Sequence, residues 1–462
     1  MKLTIIGAGP GGYETAVAAS KLGFQVTIVS YGPVGGTCLN EGCIPTKTLC
    51  KNAEVMDLLK ESEVYGIGEL SYSFNYKKVL ERKEEVVEQL RGGVEFLLKG
   101  KNINLLYGKA SFKDSRTIYV ENGSEMTEVS SDYIIIATGS VSSVLPIPGK
   151  DLPGVLSSKE LLGLEEVPQR LCIIGAGVIG LEFASIFKSF GSEIFVIEYC
   201  KDILPRFDTD ISKRLKQALV KRGVSIETSS RVLGISKEAS GELSVKYMKK
   251  EEEFTLLADK VLMAVGRSPN LGSLNLKDVG VEFTEKGVKV DNNMETSVPG
   301  IYAVGDVTVG MMLAHTAVFQ GLVALQSIAG GSVEKLDVDF SIVPAAVFTK
   351  PELACVGLTE EECKEKGLEI KILKSFFRAN GKALSINEPE GYCKIIVYTG
   401  ESKEEREYGT ILGCHILGAH ASDIVQEIAA LMNAKATISE LKSVIHAHPG
   451  LTEVLQAAAH SF

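Results

Sequence analysis

Cys38 and Cys43 stand five positions apart in the run Gly35-Gly36-Thr37-Cys38-Leu39-Asn40-Glu41-Gly42-Cys43-Ile44-Pro45-Thr46-Lys47. Two thiols this close in the chain can close a small disulfide ring. A small, accessible ring is the kind that opens and closes in a reaction rather than stapling a fold. Lys47 comes one helical turn after Cys43, so on a helix it projects from the same face and can stabilise negative charge there. Two blander readings exist: packed inert thiols, or half of a zinc site. No second pair with ligand spacing lies nearby to complete a zinc site.

A second candidate set lies near the C-terminus, in His446-Ala447-His448-Pro449-Gly450-Leu451-Thr452-Glu453. Thiol oxidation needs a base, because the thiolate is the nucleophile. Imidazole suits that task near neutral pH. A carboxylate on the other ring nitrogen would fix the tautomer and stabilise imidazolium. His448 and Glu453 fit these two roles, with His446 read as structural. A His/His/Glu metal site is the competing reading.

Two strand–glycine–helix units position this chemistry. The first is Leu3-Thr4-Ile5-Ile6-Gly7-Ala8-Gly9-Pro10-Gly11-Gly12, followed by the apolar run Val26–Val29. The second is Leu171-Cys172-Ile173-Ile174-Gly175-Ala176-Gly177-Val178-Ile179-Gly180, followed by Ile194–Ile197. This is the βαβ dinucleotide fold twice over. Glycines Gly7, Gly9 and Gly12, and again Gly175, Gly177 and Gly180, let backbone N–H groups approach a pyrophosphate at a helix N-terminus. Glu198 ends the second unit's ribose-binding strand. A carboxylate there accepts both ribose hydroxyls and repels a 2′-phosphate, which favours NAD over NADP. The corresponding position of the first unit is Ser30, which has no charged acceptor pair to offer.

Between the two units, Glu81 to Lys99 predicts a charged amphipathic helix. Tyr133–Ser140 predicts a buried strand ending in a glycine turn, and Pro146, Pro148, Gly149 and Pro153 mark a linker. Ala264–Asn270 closes the second nucleotide unit. Pro299–Val307 predicts another apolar strand, ending near an acidic residue. From about Asp339 the pattern changes to strands and C-terminal helices with no glycine fingerprint.

The run around Cys38 and Cys43 closely resembles the redox-active segment of the flavin disulfide oxidoreductases, and most closely the branch that oxidises dihydrolipoamide. The glycine pair, Asn40, Pro45 and Lys47 all match. Further resemblance lies in Ala137–Ser140, Gly305-Asp306, Met312–His315 and Val347–Gly357, so it covers essentially the whole chain. It implies an α/β fold with two Rossmann-like domains and a C-terminal α+β dimerisation domain. The expected division is an FAD-binding domain at 1–145, an NAD-binding domain at 146–267, a central domain completing the FAD site at 268–338, and an interface domain at 339–462.

On this resemblance FAD is held by Gly7, Gly9, Gly12, Ser30, Thr37, Lys47, Thr138, Gly139, Asp306 and Ala314. NAD is held by Gly175, Gly177, Gly180, Glu182, Glu198 and Gly266. Cys38 is the interchange thiol, Cys43 lies against the flavin, and Glu182 pairs with Lys47. His448 with Glu453 reaches the disulfide of a partner subunit, making a homodimer the catalytic unit. His315 is a further candidate beside the flavin. The implied reaction is oxidation of protein-bound dihydrolipoamide with reduction of NAD⁺. The implied partner is a lipoyl-bearing protein of a 2-oxoacid dehydrogenase or glycine cleavage complex. Two positions depart from the family. Ser30 replaces the usual acid, which predicts a weaker hold on the adenosine end. Gly450 replaces the usual threonine, which predicts a less rigid loop. The rivals are a glutathione-type reductase, opposed by Glu198, an NADH-dependent diaphorase or oxidase, opposed by the complete Cys38/Cys43/His448/Glu453 set, and a non-catalytic docking subunit.

Composition narrows the classes. At 462 residues the chain is long enough for about three domains of roughly 150 residues. Hydrophobic residues make up 45% and charged residues 23%, ordinary for a soluble globular protein. A net charge of −10 opposes non-specific nucleic-acid binding. No apolar run approaches the length of a membrane span. The first strand begins at once, leaving no space for a targeting peptide ahead of it. Nine scattered cysteines, an odd number, fit a reducing compartment, expected to be the cytoplasm.

Overall fold

The computed structural model describes residues 1–100, 102–330, 336–402 and 406–462. Its first sheet is parallel, in the order Ile301–Ala303, Tyr133–Ile136, Lys2–Ile6, Gln25–Ser30, Ile103–Tyr107. Leu3, Ile5, Ile28 and Ile134 to Ile136 are fully buried, as expected of strands covered on both faces. The helix Pro10–Lys21 follows the first strand, with Pro10 in its first turn. It packs on the helix Ala314–Ala329 through small residues. A Cβ at Gly11 would stand 2.9 Å from the Ala317 carbonyl oxygen, and one at Gly321 1.9 Å from Thr15 Oγ1. Close packing of these two helices brings both of their N-termini to the mouth of the sheet.

The second sheet repeats the plan in the order Val224–Glu227, Glu193–Ile197, Arg170–Ile174, Lys260–Met263, Val155–Leu156, again parallel. Its fingerprint helix, Val178–Phe190, is buried on nearly every side. A helix buried this far must be covered all round, its polar Glu182, Ser185 and Ser189 included. Here the second sheet covers one side and the helix Cys43–Lys60 of the first unit the other.

Residues Ala345–Val347, Leu353–Gly357, Ile411–Leu417, Tyr392–Tyr398 and Ile370–Phe376 form an antiparallel sheet in that order. The helices Ala421–Asn433 and Glu453–His460 pack on it. Lys394, buried in this sheet, lies 2.9 Å from both carboxylate oxygens of Asp208 and 2.6 Å from Glu360. This ties the third sheet to the second nucleotide unit.

Several elements differ from the sequence expectation. The helix expected from Glu81 begins at Tyr76, because Asn75 caps it by accepting from the Lys78 N–H. The strand expected through Ser140 stops at Ile136, where the last ladder bond runs from the Ala137 N–H to Ile6 and the chain turns at Gly139. The strand expected at 299–307 is only Ile301–Ala303, followed by a 3₁₀ turn over Gly305–Val307. Two three-stranded antiparallel sheets, spanning Lys109–Ser130 and Ser230–Ala258, carried no fingerprint and were not anticipated.

Candidate active site

The three glycines of each fingerprint have different physical reasons. A Cβ on Gly7 would stand 2.2 Å from the Ala137 carbonyl oxygen, and one on Gly12 1.9 Å from that of Gly7. Gly175 and Gly180 repeat this, at 2.4 Å from Ala264 O and 2.1 Å from Gly175 O. These four are required by the protein's own backbone. The middle glycines differ: Gly177 has nothing within 4 Å, and Gly9 only the Gly36 Cα at 3.9 Å. Space kept open at a helix N-terminus is what a pyrophosphate requires. Both cradles therefore fit a dinucleotide on grounds of shape.

The two cradles open into one cleft of ≈ 3710 Å³, well beyond the roughly 300–1,000 Å³ of a single small-molecule pocket. Thr37, Cys38, Cys43, Lys47, Thr138, Gly139, Asp306, Ala314 and His315 line it, as do Glu182, Glu198 and Gly266. Asp306 accepts from Ser140 Oγ at 2.5 Å, and Arg267 donates to the same hydroxyl at 2.7 Å. Glu198 is buried; its oxygens accept from the Ala176 N–H at 2.6 Å and the Cys200 N–H at 2.7 Å. Those bonds fix the carboxylate across the second glycine turn and leave lone pairs for a ribose. Ser30 is buried and donates to the Gly32 carbonyl at 2.7 Å. Its proton is used within the loop, so it offers a ribose only an acceptor. His315 turns its Nε2 to the Pro344 carbonyl at 2.9 Å, and burial lowers its pKa.

The thiols sit on two helices. Gly36–Glu41 carries Cys38, and Cys43 opens the helix Cys43–Lys60 after a break at Gly42. A Cβ on Gly36 would meet the Gly9 Cα at 2.6 Å, so the redox segment lies directly on the first fingerprint. Both cysteines are free thiols here. Cys43 has its pKa lowered to about 7 by a hydrogen bond from Cys38 and by the Lys47 charge, against the opposing effect of burial. Cys38 is shifted upward by the same hydrogen bond and by burial. The two shifts are opposed: Cys43 is the more acidic thiol of the pair and Cys38 the less acidic.

Lys47 donates to both oxygens of Glu182 at 2.9 Å. Burial pulls the Lys47 pKa down, but Glu182 outweighs it and the net shift is upward. Phe348 adds a part the sequence reading missed. Its ring centroid lies 4.5 Å from Lys47 Nζ, and its N–H donates to Glu182 at 3.0 Å. An aromatic so far along the chain carries no local signal of such a contact.

His448 and Glu453 meet as expected, with Nδ1 3.0 Å from Oε1. The other oxygen of Glu453 accepts from the Gly450 N–H at 2.8 Å; that bond, then the one to His448, lowers the Glu453 pKa. At Gly450 the loop is tied through its backbone. Its carbonyl accepts from Asn380 at 2.9 Å, and a Cβ there would stand 2.6 Å from the Ala447 carbonyl oxygen. His446 is buried and paired with Glu427 at 2.9 Å. Among the described residues no group of His, Cys, Asp and Glu could hold a metal ion. Within one chain, neither His448 nor Glu453 lines the cleft that holds the thiols. His448 stands 80% exposed.

Residues 1–321 match the pyridine nucleotide-disulphide oxidoreductase family, and residues 343–459 match its dimerisation domain. A dihydrolipoyl dehydrogenase of Bacillus subtilis is 39% identical, over 99% of this chain and 98% of its own. One from Staphylococcus aureus is 40% identical over 98% and 95%. Among solved structures, a copper(II) complex of the HOCl-induced flavoprotein disulfide reductase RclA from Escherichia coli is 31% identical with a TM-score of 0.87, over 100% of this chain and 99% of that one. LpdA from Mycobacterium tuberculosis is 25% identical with a TM-score of 0.90, over the same shares. With two fingerprints, a paired thiol segment and this coverage in common, the chain belongs to the pyridine nucleotide-disulphide oxidoreductase family.

Proposed function

We propose that the protein is a homodimeric dihydrolipoyl dehydrogenase: dihydrolipoamide + NAD⁺ → lipoamide + NADH + H⁺. One observation carries the reading. A single cleft joins both glycine cradles and the Cys38/Cys43 pair, while a formed imidazole–carboxylate pair stands exposed outside it. A base built but unused within its own chain is suited to another subunit's thiols. The first cradle suits FAD, because the thiol segment lies on it. The second suits NAD, because Glu198 holds a charge where NADP would place a phosphate.

The chain's own residues then act in order. With Cys38 and Cys43 oxidised to a disulfide, a substrate thiol gives its proton to His448, and the resulting thiolate attacks Cys38 Sγ. The Cys38–Cys43 bond breaks, and Cys43 leaves as thiolate. The second substrate thiol attacks the mixed disulfide, releasing lipoamide and the Cys38 thiol. Glu453 holds the ring orientation and stabilises imidazolium. Lys47, tethered by Glu182, supports the Cys43 thiolate. A bound FAD supplies the two-electron link from the dithiol to the nicotinamide. The division at 145, 267 and 338 remains part of this proposal, as do a cytoplasmic location and a separate lipoyl-bearing protein as substrate. Among the described residues, no helix is long and apolar enough to cross a membrane.

The test is turnover of purified holoprotein with dihydrolipoamide and NAD⁺, beside glutathione disulfide with NADPH. NADH formation in the first assay and no NADPH loss in the second is expected. The opposite pattern overturns the proposal.

A further inference from the structure

The segment from Phe348 to Lys350 lies along the seam between two helices from different units. The Phe348 N–H donates to Glu182 at 3.0 Å, and two residues on, the Lys350 N–H donates to Ser185 Oγ at 3.1 Å. Glu182 and Ser185 are one turn apart on the helix Val178–Phe190. Across the seam, the Cys50 thiol points at the Phe348 carbonyl, 3.5 Å away. Lys350 Nζ lies 3.4 Å from Glu61 and 3.8 Å from Asp57. Cys50 and Asp57 are on the redox helix Cys43–Lys60, and Glu61 is its C-cap. The turn between the first two strands of the third sheet therefore splints the redox helix to the second fingerprint helix. At the end of the splint nearest the thiols, the Phe348 ring faces the Lys47 ammonium at 4.5 Å.

Lys47 is long, and its side chain is still one-third exposed. Glu182 alone fixes the ammonium at one end only. A ring face is a second attractor for a cation, and it excludes water from the same side. The backbone bond from Phe348 to Glu182 holds the other member of the ion pair. One residue thus sets both partners of the pair that faces Cys43 from the next helical turn.

We propose that Phe348 is a positioning residue: its ring and its backbone N–H hold the Lys47–Glu182 pair so that the ammonium faces Cys43. The proposal rests on the reading of Cys43 as the thiol packed against bound flavin. It makes the third sheet part of the redox site, although that sheet supplies no reacting atom to the cleft.

The test uses Cys38→Ser holoprotein. There the long-wavelength absorbance of a thiolate lying on oxidised flavin is titrated with pH. A cation near a thiol favours the thiolate, so loosening Lys47 must move the midpoint upward. Phe348→Leu is expected to raise it by at least about half a pH unit, a threefold change in the ionisation constant. Phe348→Tyr, which keeps the ring, is expected to restore it. In a Lys47→Met background, Phe348→Leu is expected to add nothing, because the residue through which it acts is gone. Should the leucine variant fail to fold, Phe348→Met fills the space without a ring face and carries the same expectation. An unmoved or lowered midpoint, or an equal shift without Lys47, overturns the proposal while leaving the thiol assignment in place. No such band in the Cys38→Ser parent at any pH overturns both.

Discussion

Lys47 and Glu182, 135 residues apart in the chain, meet as a two-pronged ion pair with both N···O distances at 2.9 Å. The pair spans the two nucleotide units, joining the redox helix to the second fingerprint helix. Glu182 is buried, with only 4% of its side chain exposed, so its charge is tolerated only because Lys47 and the Phe348 N–H both bind it.

Glu182→Gln keeps the shape and removes the charge. It leaves Lys47 without its partner and is expected to lower stability by about 1–3 kcal/mol. Urea unfolding of the holoprotein reads this directly. An unchanged midpoint at unchanged slope would show that the pair contributes nothing to the fold.

The two thiols are predicted to differ. Cys38→Ser removes the proposed interchange thiol and should abolish dihydrolipoamide oxidation while keeping a hydroxyl able to donate to Cys43. It should show long-wavelength absorbance without added reductant, rising with pH through a midpoint below that of a free thiol, in the direction in which Cys38 and Lys47 lower the Cys43 pKa. The band belongs to the ionised thiol, so it grows as pH rises; the effect on stability follows from linkage. A thiol whose pKa is depressed below that of the free group stabilises the fold above the free value, and that stabilisation is lost as pH falls through the folded value. Cys38→Ala lacks the donor, so its midpoint should lie higher than that of Cys38→Ser. Cys43→Ser should show no band; a band in that variant would reverse the two roles.

Glu198 predicts the nucleotide. Its carboxylate is held by two backbone N–H groups, so it cannot swing aside for a 2′-phosphate. The expected preference for NAD(H) over NADP(H) is at least about tenfold in kcat/KM, roughly 1.4 kcal/mol. Steady-state kinetics with both nucleotides measures it, and parity between them would remove the assignment.

Ser30 predicts a looser adenosine end. Its hydroxyl proton is committed to Gly32, so a ribose finds one neutral acceptor there. Ser30→Glu is expected to slow FAD release in mild chaotrope, followed by flavin fluorescence. Release at the same rate or faster would mean that Ser30 does not face the ribose.

The legible parts of the molecule were those whose chemistry is local in sequence. Gly12 and Gly180 are demanded by backbone contacts within their own βαβ units, Gly7 and Gly175 by the ends of the neighbouring strands at Ala137 and Ala264, and the repeated glycine spacing let the fingerprints be read directly. Cys38, Cys43 and Lys47 share one short segment, as do His448 and Glu453. Glu182 was reached by resemblance, not by spacing. Phe348, Asp208 and Lys394 act across the chain, and nothing beside them announces it. Gly450 is a different case. Its missing side chain suggested a slack loop, yet Asn380 and Glu453 pin its backbone from both sides.

In the proposed dimer the thiols of one subunit are served by the base of the other. His448→Gln and Cys38→Ser homodimers should each lose nearly all dihydrolipoamide turnover, while His448→Gln keeps much of its NADH-to-dye activity. Co-expressed with different affinity tags, they form a hybrid dimer that can be purified. Acting across subunits, the intact Cys38 of one chain and the intact His448 of the other rebuild one complete site. Dihydrolipoamide–NAD⁺ turnover near half that of the wild-type dimer is predicted. A hybrid no more active than its two parents would contradict service across the subunits.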